Sequence, residues 1–92
     1  MTIKLYMTSI TTSREIFNRQ TRIKQVLDAK GIEYEEIDLS KDQDKRNEMR
    51  EKAGIPDLLP PALFNENIYC GDFETFEDAV EDGTLKKYLG LE

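Results

Sequence analysis

The chain has 92 residues, 38% of them hydrophobic, with four Phe, four Tyr and no Trp, which is enough for one compact core and too little for two. Its 19 acidic residues outnumber 13 basic ones, and the net charge of -6 disfavours nucleic acid and anionic membrane surfaces as partners. With no histidine and one cysteine, an imidazole base, an internal disulfide and the usual zinc ligand sets are excluded. We therefore expect a single domain, residues 1–92, without a metal site.

The N-terminal sequence and the cysteine content bear on location. MTIKLYMTSITT lacks a basic region followed by a long apolar run, and no segment approaches the roughly 20 apolar residues of a membrane span. A single cysteine without a secretory signal fits a reducing compartment. We expect a soluble monomer in the cytoplasm, with the nucleus as a second location, and no membrane or nucleic-acid partner.

The first third of the chain predicts a strand, a helix and a second strand. Alternation over residues 3–7 predicts a strand with one face more deeply buried than the other. Thr12 and Glu15 have the spacing of a capping box, which predicts the start of a helix that ends at residues 30–31. The β-prone run 33–39 predicts a second strand, parallel to the first after a right-handed crossover.

The middle of the chain predicts a charged helix and a hairpin. Residues 40–43 again have capping-box form, and the helix predicted over 42–53 stops at Gly54. Two short β-prone runs, 62–64 and 68–70, are separated by the turn formers Asn-Glu-Asn, which predicts an antiparallel pair.

Two helices are predicted at the C-terminus. Asp72 is placed to cap a helix that Gly83 closes, and Thr84 to cap a short last helix. The predicted order is βαβαββα plus this short helix. That order predicts an α/β, thioredoxin-like fold with a four-stranded mixed sheet flanked by helices, in which a cis-proline begins the third strand.

Four segments, TSITTSREI, MREKAGIPDLLPPALF, IYCGDFETFEDAVE and LKKYLGLE, resemble one known family. They look like the SH3-binding glutamic-acid-rich-like proteins, a glutaredoxin-related family that lacks the glutaredoxin active site, and most like its short third member. The resemblance covers essentially the whole chain and implies a glutaredoxin-like fold. It implies that Pro61 is the cis-proline and that Pro60 stands where glutaredoxins usually carry Val. The inherited binding face implied by the resemblance consists of Ser9, Ile10, Thr11, Thr12, Ser13, Leu59, Pro60, Pro61, Gly71, Asp72 and Phe73.

Dithiol chemistry lacks its residues in this chain. Disulfide exchange needs a thiolate at a helix N-terminus and a second, resolving thiol nearby. The loop over residues 9–14 contains no cysteine, and none occurs before Cys70. We therefore predict a protein that is not an enzyme and has no dithiol oxidoreductase activity. Its predicted role is a protein-interaction or redox-regulatory modulator whose protein partners the sequence does not name.

Weak glutathione binding, or monothiol redox chemistry at Cys70, is the first alternative. In glutaredoxins the residue before the cis-proline pairs with glutathione through its backbone N–H and C=O, and Pro60 has no N–H. Gly71 and Asp72 keep part of the helix N-terminus that holds the glutathione carboxylate, but Asp72 adds a negative charge there. We expect no cofactor, with glutathione as the alternative ligand.

An SH3-domain ligand formed by Leu58 to Phe64 is the second alternative, suggested by the family name. Such ligands adopt a polyproline II conformation with P-x-x-P spacing. Pro56, Pro60 and Pro61 do not have that spacing. A segment that begins a core strand is also difficult to present to a partner.

Overall fold

The computed structural model describes residues 2–11 and 13–92. Within this part of the chain, four strands form one mixed sheet. The strands are β1 (Ile3–Met7), β2 (Tyr34–Asp38), β3 (Ala62–Asn65) and β4 (Ile68–Gly71), in the spatial order β2-β1-β3-β4. β1 pairs parallel with β2 and antiparallel with β3, and β3 pairs antiparallel with β4. β2 and β4 are therefore the edge strands.

Within the described residues, four helices cover the two faces of the sheet. They are α1 (Arg14–Ala29), α2 (Gln43–Ala53), α3 (Phe73–Asp82) and α4 (Leu85–Tyr88). The element order is that predicted from the sequence. Among the described residues, no helix is both long enough and apolar enough to cross a bilayer.

The core has two parts, one on each face of the sheet. On one face α1, α3 and α4 pack against Leu5 of β1 and Leu63 of β3. On the other face α2 contributes Met49, which packs near Tyr6 and Phe64. The Tyr6 and Phe64 rings meet edge-on, with centroids 5.0 Å apart. Ile3, Leu5 and Met7 are buried on one face of β1. On the other face Tyr6 is buried under α2 whereas Lys4 is half-buried, so the predicted difference between the faces is limited to Lys4.

The helix caps differ in part from the predicted ones. Ser13 is the N-cap of α1, and its Oγ accepts a hydrogen bond from the N–H of Ile16 at 3.3 Å. The predicted cap at Thr12 lies outside the described residues. The capping-box pattern predicted Ser40 as the N-cap of α2 and a helix from residue 42, but Asp42 is the N-cap and regular helix begins at Gln43. Asp72 caps α3 as predicted. Thr84 precedes α4 but makes no capping hydrogen bond through its side chain.

Candidate binding cleft

Three chain segments meet at one end of the sheet and form a cleft of about 420 Å³. They are the start of α1, the loop 54–61 that precedes β3, and the end of β4 with the start of α3. We call this the cleft. Its lining residues are Ser13, Glu15, Ile16, Arg19, Ile55, Asp57, Leu58, Leu59, Pro60, Pro61, Tyr69, Asp72 and Phe73.

The loop 54–61 forms the apolar wall of the cleft. It leaves α2 at Gly54, which adopts the left-handed conformation. The Nε of Arg50 donates a hydrogen bond to the carbonyl of Leu58 at 3.0 Å, and the Leu58 side chain is buried in the core on the α2 side. The peptide bond between Pro60 and Pro61 is cis, at the position where the resemblance places it. Between these anchored residues, Leu59 projects outward with 57% of its surface exposed.

The opposite wall is built by α1 and α3. The guanidinium of Arg19 lies 5.1 Å from the centroid of the Phe73 ring. Its Nη2 also forms an ion pair with Glu15, one helical turn earlier, at 2.6 Å. Both contacts hold the guanidinium against the wall, because a cation is attracted to an aromatic face and to a carboxylate at the same time.

The start of α3 is fixed by a small hydrogen-bond network beneath the cleft. The carboxylate of Asp72 accepts from the N–H of Thr75 at 3.0 Å, and its carbonyl accepts from the Tyr88 hydroxyl at 3.2 Å. The hydroxyls of Thr75 and Tyr88 lie 2.9 Å apart. Burial raises the pKa of Tyr88 above its ordinary value, so the hydroxyl keeps its proton and can donate. Gly71 has a φ of +150° and lies directly beside these two hydroxyls.

The structure brings together six of the residues implied by the resemblance, and places four others elsewhere. In the cleft are Ser13, Leu59, Pro60, Pro61, Asp72 and Phe73. Ser9, Ile10, Thr11 and Gly71 do not line the cleft, and Thr12 is outside the described residues. Ile10 is 78% exposed, and the Thr11 hydroxyl accepts a hydrogen bond from the N–H of Ser13 at 3.0 Å, which orders the approach to α1.

Ser9 belongs to a different cluster, at the end of β2. One carboxylate oxygen of Asp38 accepts hydrogen bonds from the N–H of Ser9 at 3.1 Å, the N–H of Ser40 at 3.0 Å and the hydroxyl of Ser40 at 2.7 Å. Partial burial by itself would raise the pKa of Asp38. The hydrogen bonds from Ser9 and Ser40 outweigh burial and hold that pKa well below its ordinary value. This cluster ties the loop after β1 to the end of β2, so its role is to hold the loop.

Cys70 lies outside the cleft. It packs against the core formed with α1, α3 and α4, whereas its neighbour Tyr69 packs on the α2 side and lines the cleft. Burial raises the pKa of the Cys70 thiol, and a hydrogen bond with the backbone of Asn65 offsets part of that rise. A thiol with a raised pKa is a poor nucleophile at neutral pH. Within residues 2–11 and 13–92 no three His, Cys, Asp or Glu side chains are grouped to hold a metal ion.

Seven residues that line the cleft were not part of the binding face predicted from the sequence: Glu15, Ile16, Arg19, Ile55, Asp57, Leu58 and Tyr69. Ile16 and Arg19 follow Ser13 at intervals of three residues, so they lie on the same helix face and were within reach of a periodicity argument. Tyr69 faces Phe64 in the hairpin register, and their rings are 5.3 Å apart. The position of loop residues such as Asp57 depends on the tertiary path of the chain and left no periodic signal.

The segment proposed as an SH3 ligand is mostly inaccessible. Of residues 58–64, only Leu59 is exposed, and β3 occupies the centre of the sheet between β1 and β4. A polyproline II ligand must offer its side chains to a groove on the partner. In this fold the segment 58–64 cannot do so without leaving the sheet.

Comparisons with known proteins agree with the geometry. The chain matches the family described as "SH3-binding, glutamic acid-rich protein" over residues 1–92. It is 34% identical over 103 residues to the SH3 domain-binding glutamic acid-rich protein homolog of Drosophila melanogaster, covering 99% of this chain and 65% of that protein. The chain thus spans slightly less than two thirds of the length of this relative. Both descriptions name binding proteins.

Solved structures show the fold. The C. albicans actin interacting protein Aip5 superposes with a TM-score of 0.78 at 19% identity, over 96% of this chain and 87% of that one. The buckwheat glutaredoxin–glutathione complex superposes with a TM-score of 0.71 at 18% identity, over 96% and 76%. The fold is therefore thioredoxin-like, as predicted. With the family match covering every residue, the chain belongs to the SH3-binding, glutamic acid-rich protein family.

Proposed function

We propose that this protein is a non-catalytic binding module whose cleft holds a segment of a partner protein. One observation carries the proposal: the cleft exposes the apolar side chain of Leu59 on one wall, and its described lining residues contain no sulfur. The single cysteine of the chain packs on the far face of β4. A cleft of about 420 Å³ is within the usual size of ligand sites, and it suits a short segment better than a flat domain surface.

The names of the relatives support a protein as the occupant. The family and the Drosophila relative are named for SH3 binding, and the C. albicans structure is named for interaction with actin. Because residues 58–64 are mostly buried, contact with an SH3 domain would use the cleft as a groove, or another surface, and would not present the Pro60–Pro61 stretch as an extended ligand.

Glutathione is the competing occupant, because a glutaredoxin of the same fold is known with it. Two features of the cleft oppose it. Pro60 has no N–H to donate to an extended ligand. The guanidinium of Arg19 is already paired with Glu15, so binding an anion there requires breaking an existing ion pair.

A peptide selection tests the binding proposal. A random-peptide library displayed on phage is selected against the wild-type protein, and each recovered peptide is measured against Leu59→Ser and Ile68→Ser. Both variants remove an exposed apolar side chain, 57% and 72% exposed, but only Leu59 lies in the cleft. We expect peptides whose affinity falls about tenfold in Leu59→Ser, as for loss of an interface anchor, and less than about twofold in Ile68→Ser. Recovery of no peptide that distinguishes the two variants would refute the proposal.

A coupled assay tests the absence of catalysis. Reduction of a small mixed disulfide by glutathione is followed with the wild-type protein, Cys70→Ser and a dithiol glutaredoxin as the positive control. We expect no turnover above the uncatalysed rate for either form of this protein. Turnover that disappears in Cys70→Ser would show that the thiol is active and would overturn the non-catalytic role.

A further inference from the structure

The charges around the cleft are unequal. Among the described residues of its lining, Glu15, Asp57 and Asp72 contribute three carboxylates and Arg19 contributes the one cation. The lining therefore carries a net charge of -2, within a chain whose net charge is -6. A concave site that carries a net charge attracts ligands of the opposite sign.

The cation in the cleft has little capacity left for a ligand. Arg19 is 2.6 Å from Glu15 and lies over the Phe73 ring. An incoming carboxylate would have to displace Glu15, whereas an incoming cation meets no such competition at Asp57. The Asp57 side chain is exposed, and it stands two residues before the apolar Leu59.

The helix N-termini at the cleft do not reverse this balance. The starts of α1 and α3 both face it, and the partial positive charge of a helix N-terminus favours anions. In α1 the Ser13 hydroxyl already accepts from the N–H of Ile16, and in α3 the Asp72 carboxylate accepts from the N–H of Thr75. Asp72 also places a full negative charge at the N-terminus of α3.

From the apolar wall and this charge balance, we infer that the cleft selects an extended peptide segment with one bulky apolar side chain flanked by Lys or Arg. The apolar side chain packs between Leu59 and Phe73, and the flanking cations lie near Asp57 and Asp72. This inference rests on the proposed function, since it names the chemistry of the partner segment that the cleft binds.

The peptides recovered in the selection described above decide this inference separately from the proposed function. Peptides that depend on Leu59 and are enriched in Lys or Arg beside an apolar residue support both. Peptides that depend on Leu59 without this enrichment, or with acidic flanks, overturn the charge inference and leave the binding function standing. If no peptide depends on Leu59, both fail.

A charge exchange then tests the mechanism with a fluorescein-labelled copy of the tightest Leu59-dependent peptide. We expect Asp57→Lys to weaken its binding by about threefold to tenfold at low salt, and less at high salt, because the interaction is exposed to solvent. Glu81→Lys makes the same change in net charge at an exposed position outside the cleft, and we expect less than about a twofold effect. Arg19→Gln removes the one cation found among the described lining residues and should tighten binding. Equal effects of Asp57→Lys and Glu81→Lys would overturn the inference, because attraction would then depend on total charge alone.

Discussion

Gly71 at the end of β4 provides the sharpest test of how the cleft is supported. Its φ of +150° is rarely adopted by residues with a side chain, and a Cβ placed there would overlap the hydroxyls of Thr75 and Tyr88. Neither hydroxyl is easily moved. The Thr75 Oγ1 also lies 3.1 Å from the Asp72 carbonyl, and the Tyr88 ring packs edge-on against Phe76 with a centroid distance of 6.4 Å. We therefore expect Gly71→Ala to disrupt the network that fixes the start of α3.

The cost of Gly71→Ala follows from two contributions. Holding alanine in this backbone conformation costs roughly 1–3 kcal/mol. Losing the two hydrogen bonds made by the Tyr88 hydroxyl costs about 1 kcal/mol each. We expect a loss of about 3 kcal/mol or more, a large share of the 5–15 kcal/mol that stabilises a typical domain.

Urea unfolding followed by circular dichroism measures this loss, with Gly31→Ala as the matched control. Gly31 also has a positive φ, +69°, but a Cβ there meets no atom within 4 Å. Its replacement should cost only the left-handed strain of about 1–2 kcal/mol. With a slope near 1.5 kcal/mol/M, we expect the midpoint to fall by about 2 M for Gly71→Ala and about 1 M for Gly31→Ala.

Equal midpoints for the two variants would refute the steric reasoning at Gly71. A second comparison isolates the hydroxyl. In a Tyr88→Phe background one of the two overlapping oxygens is gone, so Gly71→Ala should cost less than it does in the wild type. An unchanged cost would show that the Tyr88 hydroxyl does not resist the added methyl group.

Three further outcomes are expected. Met49 is the only buried residue of α2, so Met49→Ala should lower the free energy of unfolding by about 2–4 kcal/mol. The amides of α2 should then exchange hydrogen faster than those of α1, and equal exchange in the two helices would contradict this. The folded-state pKa of Asp38 is lowered, so its carboxylate stabilises the fold above the ordinary aspartate pKa of about 3.9, and this stabilisation is lost as the pH falls further. Asp38→Asn should therefore lower the free energy of unfolding by about 1–2 kcal/mol at pH 7 and by less at pH 3, as measured in urea titrations. A loss that stays constant between these pH values would argue against this. Iodoacetamide should alkylate Cys70 in the folded protein more slowly than in urea at pH 8, because burial raises its pKa; equal rates would show that the thiol is accessible and ionised.

The sequence predicted the order of the elements because each one carries a local signal. The apolar stripe of α1, the glycine that ends α2 and the short hairpin turn at residues 66–67 are all readable over a few residues. The Asp72 cap was confirmed for the same reason. The predicted cap at Thr84 is confirmed only in position: Thr84 directly precedes α4, but its side chain makes no capping hydrogen bond.

The composition of the cleft was less predictable, because its three walls are distant in sequence. The resemblance placed the loop after β1 in the binding face as one block, yet Ser9 contacts Asp38 and, of the described residues of this loop, only Ser13 lines the cleft. Asp57 and Arg19 were missed because a charged residue on a surface loop or helix looks the same in sequence whether or not it faces a cleft. Only the tertiary path of the chain distinguishes the two cases.

The residues that line the cleft divide into two groups with different freedom to vary. Ser13, Leu58 and Asp72 also hold the fold, by capping α1, packing under α2 and capping α3. Changing them alters stability whatever the cleft binds.

Leu59 and Asp57, in contrast, are exposed. Surface substitutions at such positions usually change stability little. A thioredoxin-like chain without thiols in its cleft can therefore keep the cleft for structural reasons and set its binding preference at a few side chains. The variants Leu59→Ser and Asp57→Lys are informative for that reason: a change in binding without a change in unfolding midpoint would assign these two side chains to recognition.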